Sequence, residues 1–419
     1  MKKALSLVLA LVMVFALAAC GGKSETSGST ASAPAASTIA PAASSSEPSA
    51  APADAATEPA PAETGAQVFK LGGTGPLTGG AAIYGMAVKN AAELAVAEIN
   101  AAGGKVQFEL NFQDDAHDAE KAVNAYNTLK DWGMQISLGS VTSTPCVATS
   151  AETYADRIFA ITPSGSSTAV IEGKDNQFQM CFTDPNQGSA SAQYIHDKAL
   201  ATKVAVIWKN DDVYSKGIYD TFMAAAPGLG LEVVSDTTFA DGSDTDFSVQ
   251  IADAQSKGAE LVFLPMYYTP ASLIFAQAKA AGYAPLWFGV DGMDGILTLE
   301  GFDTSLAEGV ILLTPFNADS EDARTKAFVE AYQAKYGEIP NQFAADSYDC
   351  VYAYKQALEN AGCTDSMSAE DICAAMLEQF TTMTFDGLTG EGMTWGTDGA
   401  VTKSPKGMMI QNGAYVGLD

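Results

Sequence analysis

Basic and metal-ligating side chains are scarce in this 419-residue chain. Lysine and arginine together number 22 against 50 aspartates and glutamates, for a formal net charge of −28. Only two arginines occur, Arg157 and Arg324, and two histidines, His117 and His196. A surface this acidic repels a phosphate backbone and no basic stripe offsets it, which excludes a nucleic-acid partner. Neither a Gly-x-Ser-x-Gly elbow, a Walker loop nor His-Glu-x-x-His is present, so the signatures of the common hydrolases and nucleotide enzymes are missing. The cysteines show no metal-knuckle spacing. No catalysis, metal or other cofactor is therefore expected.

What is present falls into distinct segments. Lys2 and Lys3 precede an apolar run from Ala4 to Ala16, followed by Leu17-Ala18-Ala19-Cys20. A basic start, a short apolar core and small residues make an export signal. The run is shorter than the roughly 20 apolar residues of a permanent span. Leu-Ala-Ala before Cys20 resembles the bacterial lipobox, which implies cleavage there and diacylglycerol on the cysteine sulfur. The expected result is anchoring to the outer face of a bacterial cytoplasmic membrane without spanning it. Residues 21–66 are nearly all Ala, Ser, Pro, Thr, Glu and Gly, with Ile39 as the one large aliphatic. Such a composition forms no core and reads as a disordered tether.

From Gln67 onward short apolar runs alternate with helical patterns. Val68–Gly73 reads as a strand; Val88, Ala92, Ala95 and Ile99 then fall on one helix face. Gly103-Gly104 marks that helix's end. The alternation continues to Ile158–Ile161, breaks near Thr183–Gln187, and restarts at Lys203–Trp208. Such alternation predicts α/β architecture with parallel sheets covered on both faces, here in two lobes. Ligand is expected where the strands' carboxyl ends meet the cleft. Five cysteines follow Cys20; an odd number leaves at least one free, and buried thiols are expected, although Cys363 and Cys373 could pair.

Two turns are rich in hydroxyls: Gly139–Pro145 and Thr162–Ser167. Pro145 at the first position of a helix leaves free backbone N–H groups, which together with hydroxyls suit a carboxylate; the same serines also suit ordinary helix caps. Asp118, after His117, reads as a cap, and His117 as part of a polar helix entry.

Gly75-Pro76-Leu77-Thr78-Gly79, Tyr84-Gly85 and Ala97-Glu98-Ile99-Asn100-Ala101-Ala102-Gly103-Gly104 together resemble the leucine/branched-chain amino-acid-binding proteins of ABC importers. So do Asp114-Asp115, Ile161-Thr162-Pro163-Ser164, Tyr214-Ser215-Lys216-Gly217, Ala278–Gly282 and Ala345-Asp346-Ser347-Tyr348-Asp349. The resemblance implies a type I periplasmic-binding-protein fold, two Rossmann-like lobes joined by three crossovers. It places lobe 1 at residues 67–183 plus about 315–388, and lobe 2 at 184–314 plus about 389–419.

It further implies that Ser143 and Ser166 offer hydroxyls, and Ser164 backbone groups, to an amino acid's carboxylate and ammonium. Tyr84 would flank the ligand from lobe 1, Tyr214 and Tyr267 would close over it from lobe 2, Asp291 would pair with the ammonium, and Phe343 would line the side-chain pocket. Tyr268 and Asp294 are alternatives to Tyr267 and Asp291. Two departures stand out. Asp291 occupies a position where well-known members carry Glu, and a disulfide of theirs falls at His117 and Thr142. The implied function is capture of a small, aliphatic amino acid by a monomer that hands it to a permease with its ATPase. An amide or aromatic acid as ligand, chemosensory presentation, and an exported α/β hydrolase are the alternatives.

Overall fold

The alternating pattern is realised as two mostly parallel sheets. The computed structural model describes residues 65–418; the expected export signal, Cys20 and nearly all of the 21–66 tether lie outside the described residues. The first series is β1 (Gln67–Gly75), α1 (Ala82–Ala101), β2 (Val106–Asp114), α2 (Ala119–Trp132) and β3 (Ile136–Ser140). It continues through α3 (Ser143–Ala155), β4 (Phe159–Thr162) and β5 (Gln177–Gln179). These five strands pair in the parallel order β2-β1-β3-β4-β5.

The chain then crosses into α4 (Asp184–Asp197), β6 (Lys203–Lys209), α5 (Val213–Ala225), β7 (Glu232–Phe239) and α6 (Ser248–Ser256). Next come β8 (Leu261–Leu264), α7 (Tyr268–Ala280), β9 (Leu286–Gly289) and β10 (Ile311–Thr314). It returns to the first lobe with α8 (Ala323–Tyr336), α9 (Gln342–Ala361) and α10 (Ala369–Phe380). A third crossing leads to β11 (Lys406–Gln411) and β12 (Ala414–Gly417), which add antiparallel to β10. The second sheet runs β12-β11-β10-β9-β8-β6-β7. Two lobes and three crossovers match the implied fold.

Burial follows the periodicity. Val88, Ala92, Ala95 and Ile99 are all buried on α1. Ala92, Ala95 and Ile99 pack with Phe69, Leu71, Phe159 and the α9 and α10 residues Tyr354 and Phe380. Met393, Trp395 and Val401 join this first-lobe core, and the Trp395 indole N–H donates to the Gln179 carbonyl at 2.9 Å. The return to the second sheet thus comes after Val401, later than the expected 388. Asp118 caps α2, accepting from the Lys121 N–H at 2.9 Å. All five described cysteines are buried free thiols, Cys363 and Cys373 included.

Candidate ligand-binding cleft

Each wall of the cleft is built from loops at the carboxyl ends of parallel strands. On the first lobe, Asp114 at the end of β2 clamps the loop after β1: its carboxylate accepts from the Leu77 N–H and the Thr78 hydroxyl, both at 2.8 Å. That loop seats α1, and Gly85 makes the contact possible. A Cβ at Gly85 would stand 1.9 Å from the Pro76 carbonyl oxygen. The close approach aims the neighbouring Tyr84 into the cleft.

The two hydroxyl-rich turns lie side by side, as the adjacency of β3 and β4 requires. They brace each other: Thr162 donates to the Ser140 carbonyl at 2.8 Å, and Ser164 donates to the Val141 carbonyl at 2.6 Å. Ser143 accepts from the Ser167 N–H at 3.2 Å. Helix α3 starts at Ser143, two residues before the expected Pro145 start, so Pro145 sits at the third helical position. It remains in the first turn, where N–H groups have no helical partner. Ser166 is buried and its hydroxyl has no partner among the described residues.

The second lobe supplies charge and aromatic surface. Asp291 is 3% exposed, accepting from the Tyr214 hydroxyl at 2.5 Å and the Gln187 amide at 2.9 Å. Burial pushes its pKa up to about 6, although these donors pull the other way. Tyr214 and Tyr267 stack, with ring centroids 4.7 Å apart. Tyr267 is 5.5 Å and Phe343 4.9 Å from Tyr84, ring to ring. The cavity among them is lined by Tyr84, Ser164, Tyr214, Tyr267, Asp291 and Phe343, together with Val141, Thr142 and Gly292. Ser143 and Ser166, both buried, are not among the residues that line it.

The geometry also separates the two pairs of alternatives. Tyr267 lines the cavity, whereas Tyr268 turns its hydroxyl to the Ile83 N–H of α1 at 3.4 Å. Asp291 faces the cleft, whereas Asp294 accepts from the Gln342 N–H at 2.9 Å on the far side. The free space in the cleft is about 10 Å³, room for roughly one water. The lobes are therefore closed on each other, and a ligand enters only if they part.

Three participants escaped the sequence reading. Asp184, the first residue of α4, is buried with neither carboxylate oxygen hydrogen-bonded among the described residues. Burial pushes its pKa well above the usual carboxyl range, with the nearby Ser166 pulling the other way. The α5 residue Gly217 leaves room for that carboxylate; a Cβ there would lie 2.9 Å from it. Gln187, one turn further along α4, holds Asp291. His117, read as part of a polar helix entry, shares a 2.8 Å hydrogen bond with Thr142 and meets the Tyr267 ring edge-on at 5.5 Å. The two positions at which the resemblance implied a disulfide in other members are joined here by a hydrogen bond. The signal for Asp184 and Gln187 was the chain break at Thr183–Gln187, which marks the first crossover.

Comparison with known proteins bears on the chain as a whole. The family model described as periplasmic binding protein matches residues 68–414. Leu/Ile/Val-binding protein homolog 3 of Brucella melitensis is 31% identical over 303 residues, covering 71% of this chain and 81% of that one. The leucine-, isoleucine-, valine-, threonine- and alanine-binding protein of Pseudomonas aeruginosa is 27% identical over 304 residues, 72% of this chain and 80% of its own. Among solved structures, the branched-chain amino acid transporter substrate binding protein LivJ of Streptococcus pneumoniae, in complex with isoleucine, superposes with a TM-score of 0.75. It is 30% identical, covering 83% of this chain and 98% of that one. With a matching family model over most of its length and both sheets of the fold in place, the chain belongs to the periplasmic binding protein family, alongside leucine/isoleucine/valine-binding proteins of ABC importers.

Proposed function

We propose that this protein captures a free α-amino acid with an aliphatic side chain between its lobes and delivers it to an ABC permease with its ATPase. The observation that carries the reading is the asymmetry of the cleft: the first lobe lines it with neutral groups, Val141, Thr142 and Ser164, and the second with the buried Asp291 carboxylate, across aromatic walls. A zwitterion needs donors at one end and an anion at the other, and desolvated charge-assisted hydrogen bonds are the strong kind. In this reading the Ser164 backbone and the Ser143 and Ser166 hydroxyls serve the ligand's polar head, and Asp291 pairs with the ammonium. Tyr84, Tyr214, Tyr267 and Phe343 enclose its side chain. The leucine/isoleucine/valine specificity of the relatives favours a branched aliphatic.

The same reading makes the protein a monomer that catalyses nothing and is held to the membrane by lipid on Cys20. Among the described residues no helix is long and apolar enough to cross a membrane. A thermal-shift panel of amino acids, short amides, urea and aromatic acids tests the ligand. Stabilisation by leucine, isoleucine or valine is expected, and none by any zwitterionic amino acid would overturn the reading. Metabolic labelling with palmitate, lost in Cys20→Ser, tests the anchor.

A further inference from the structure

A second and larger cavity lies directly behind the cleft. Its volume is about 570 Å³, within the usual range for a small-molecule site. Three segments form the partition, and each gives neighbouring residues to the two sides. Tyr84, Gly292 and Phe343 face the cleft, while Ile83, Gly295 and Asn341 face the rear cavity. The rear walls are mostly apolar, with Ile83, Met86 and Ile339 from the first lobe and Leu297 and Tyr415 from the second. Met86 and Ile339 are 40% and 60% exposed, two of the few large apolar side chains left open to solvent.

The charge in this cavity has one sign. Asp294, Asp319 and Glu338 line it, no lysine, arginine or histidine does, and none of the three acids is in an ion pair among the described residues. The amino end of α9, which would otherwise attract an anion, is already occupied. Asn341 accepts from the Ala344 N–H at 3.1 Å and Asp294 accepts from the Gln342 N–H.

We propose that this rear cavity is a second ligand site that takes a small organic amine with an apolar body. The apolar part fills the space between Ile83, Leu297 and Tyr415, and the ammonium lies toward Asp294. Burial raises Asp294 to about 6, so a cation beside it would favour its ionised form. An occupant touches both lobes at once, and its binding therefore favours the arrangement in which they lie together.

The test titrates the full-length chain, with its methionine and isoleucine methyls labelled, with hexylammonium, hexanol and hexanoate. Saturable shifts at Met86, Ile83 and Ile339 are expected with hexylammonium, about tenfold tighter than with hexanol, and none with hexanoate. Leu297→Trp, which fills the cavity, should abolish them. Met86→Lys, on an exposed helix face where folding is not at risk, should weaken binding by about tenfold. Asp291→Asn, which removes the neighbouring carboxylate in the cleft and keeps Asp294, should leave saturable shifts in place. Absence of saturable shifts, equal binding of the three probes, indifference to both Leu297→Trp and Met86→Lys, or loss in Asp291→Asn would each overturn the proposal.

Discussion

The two walls of the cleft solve different problems. The first-lobe wall is neutral and self-braced: Ser164 and Thr162 spend their hydroxyls on neighbouring carbonyls, and Ser143 is committed to the Ser167 N–H. The second-lobe wall is charged and costly, with Asp291 and Asp184 buried and both held above the ordinary carboxyl range by that burial. A braced neutral wall provides geometry, whereas a desolvated carboxylate provides selection by charge, since it gains most from a cation that replaces lost water. The second lobe should therefore decide whether a ligand binds at all, and the first lobe how well it is oriented.

The largest effect should come from the charged wall. Asp291→Ala removes the ammonium's partner and leaves Tyr214 and Gln187 without their acceptor. A loss of about 3 kcal/mol in amino-acid affinity, or about a hundredfold, is expected by calorimetry. Equal affinity in the variant would break the contrast between the walls. The same residue sets a pH dependence. With its pKa near 6, Asp291 is ionised at neutral pH and takes up a proton as pH falls through that value. Affinity should be flat from about pH 7 to 8 and fall below about 6, and Asp291→Asn should lack the slope. The ligand-free protein should show the opposite trend. Because the folded pKa lies above the unfolded one, the Asp291 contribution to stability rises as pH falls from about 6 towards 4. That rise is read as the difference in melting temperature between parent and Asp291→Asn, since burial lowers the His117 pKa and works in the other direction.

On the neutral wall, Ser164→Ala removes the bond that ties its turn to Val141, while its backbone groups stay. A loss of about 1 kcal/mol, roughly fivefold in affinity, is expected, with the pH profile unchanged. An altered profile would show that the first lobe also takes part in charge selection.

How much of this was legible in the chain depended on whether the signal was local. Helix faces and strands were readable because burial follows period, as Val88, Ala92, Ala95 and Ile99 show. The loop motifs were readable through the resemblance, and Asp114 shows why such a pair matters: it clamps the very loop that carries Gly75-Pro76. Asp184 was not legible, because its isolation comes from Ser166 and Gly217, residues brought to it by two separate elements. The same is true of His117, whose contact with Tyr267 spans the two lobes. Trp395 packs in the first-lobe core from a stretch of turns and isolated bridges, which moved the last crossover beyond the expected boundary. In each case the deciding contact joins segments far apart in sequence, where periodicity carries no information.

The smallest effect should lie at the seam where the closed lobes are stitched together. Thr269 at the start of α7 donates to the Gly80 carbonyl at 2.8 Å, and the Tyr84 hydroxyl donates to the Gly292 carbonyl while accepting from the Tyr268 N–H. These bonds join the lobes without touching the cavity's charge. Thr269→Val keeps the side chain's shape and removes one exposed bond, worth about 0.5 kcal/mol. The closed state should be disfavoured by that amount whichever amino acid is bound, which weakens every ligand by about twofold. Calorimetry with leucine, isoleucine and valine would read a uniform shift. A shift that differed among the three would mean that the stitch reaches the side-chain pocket through Tyr84, and the division between closure and recognition would have to be redrawn at that tyrosine.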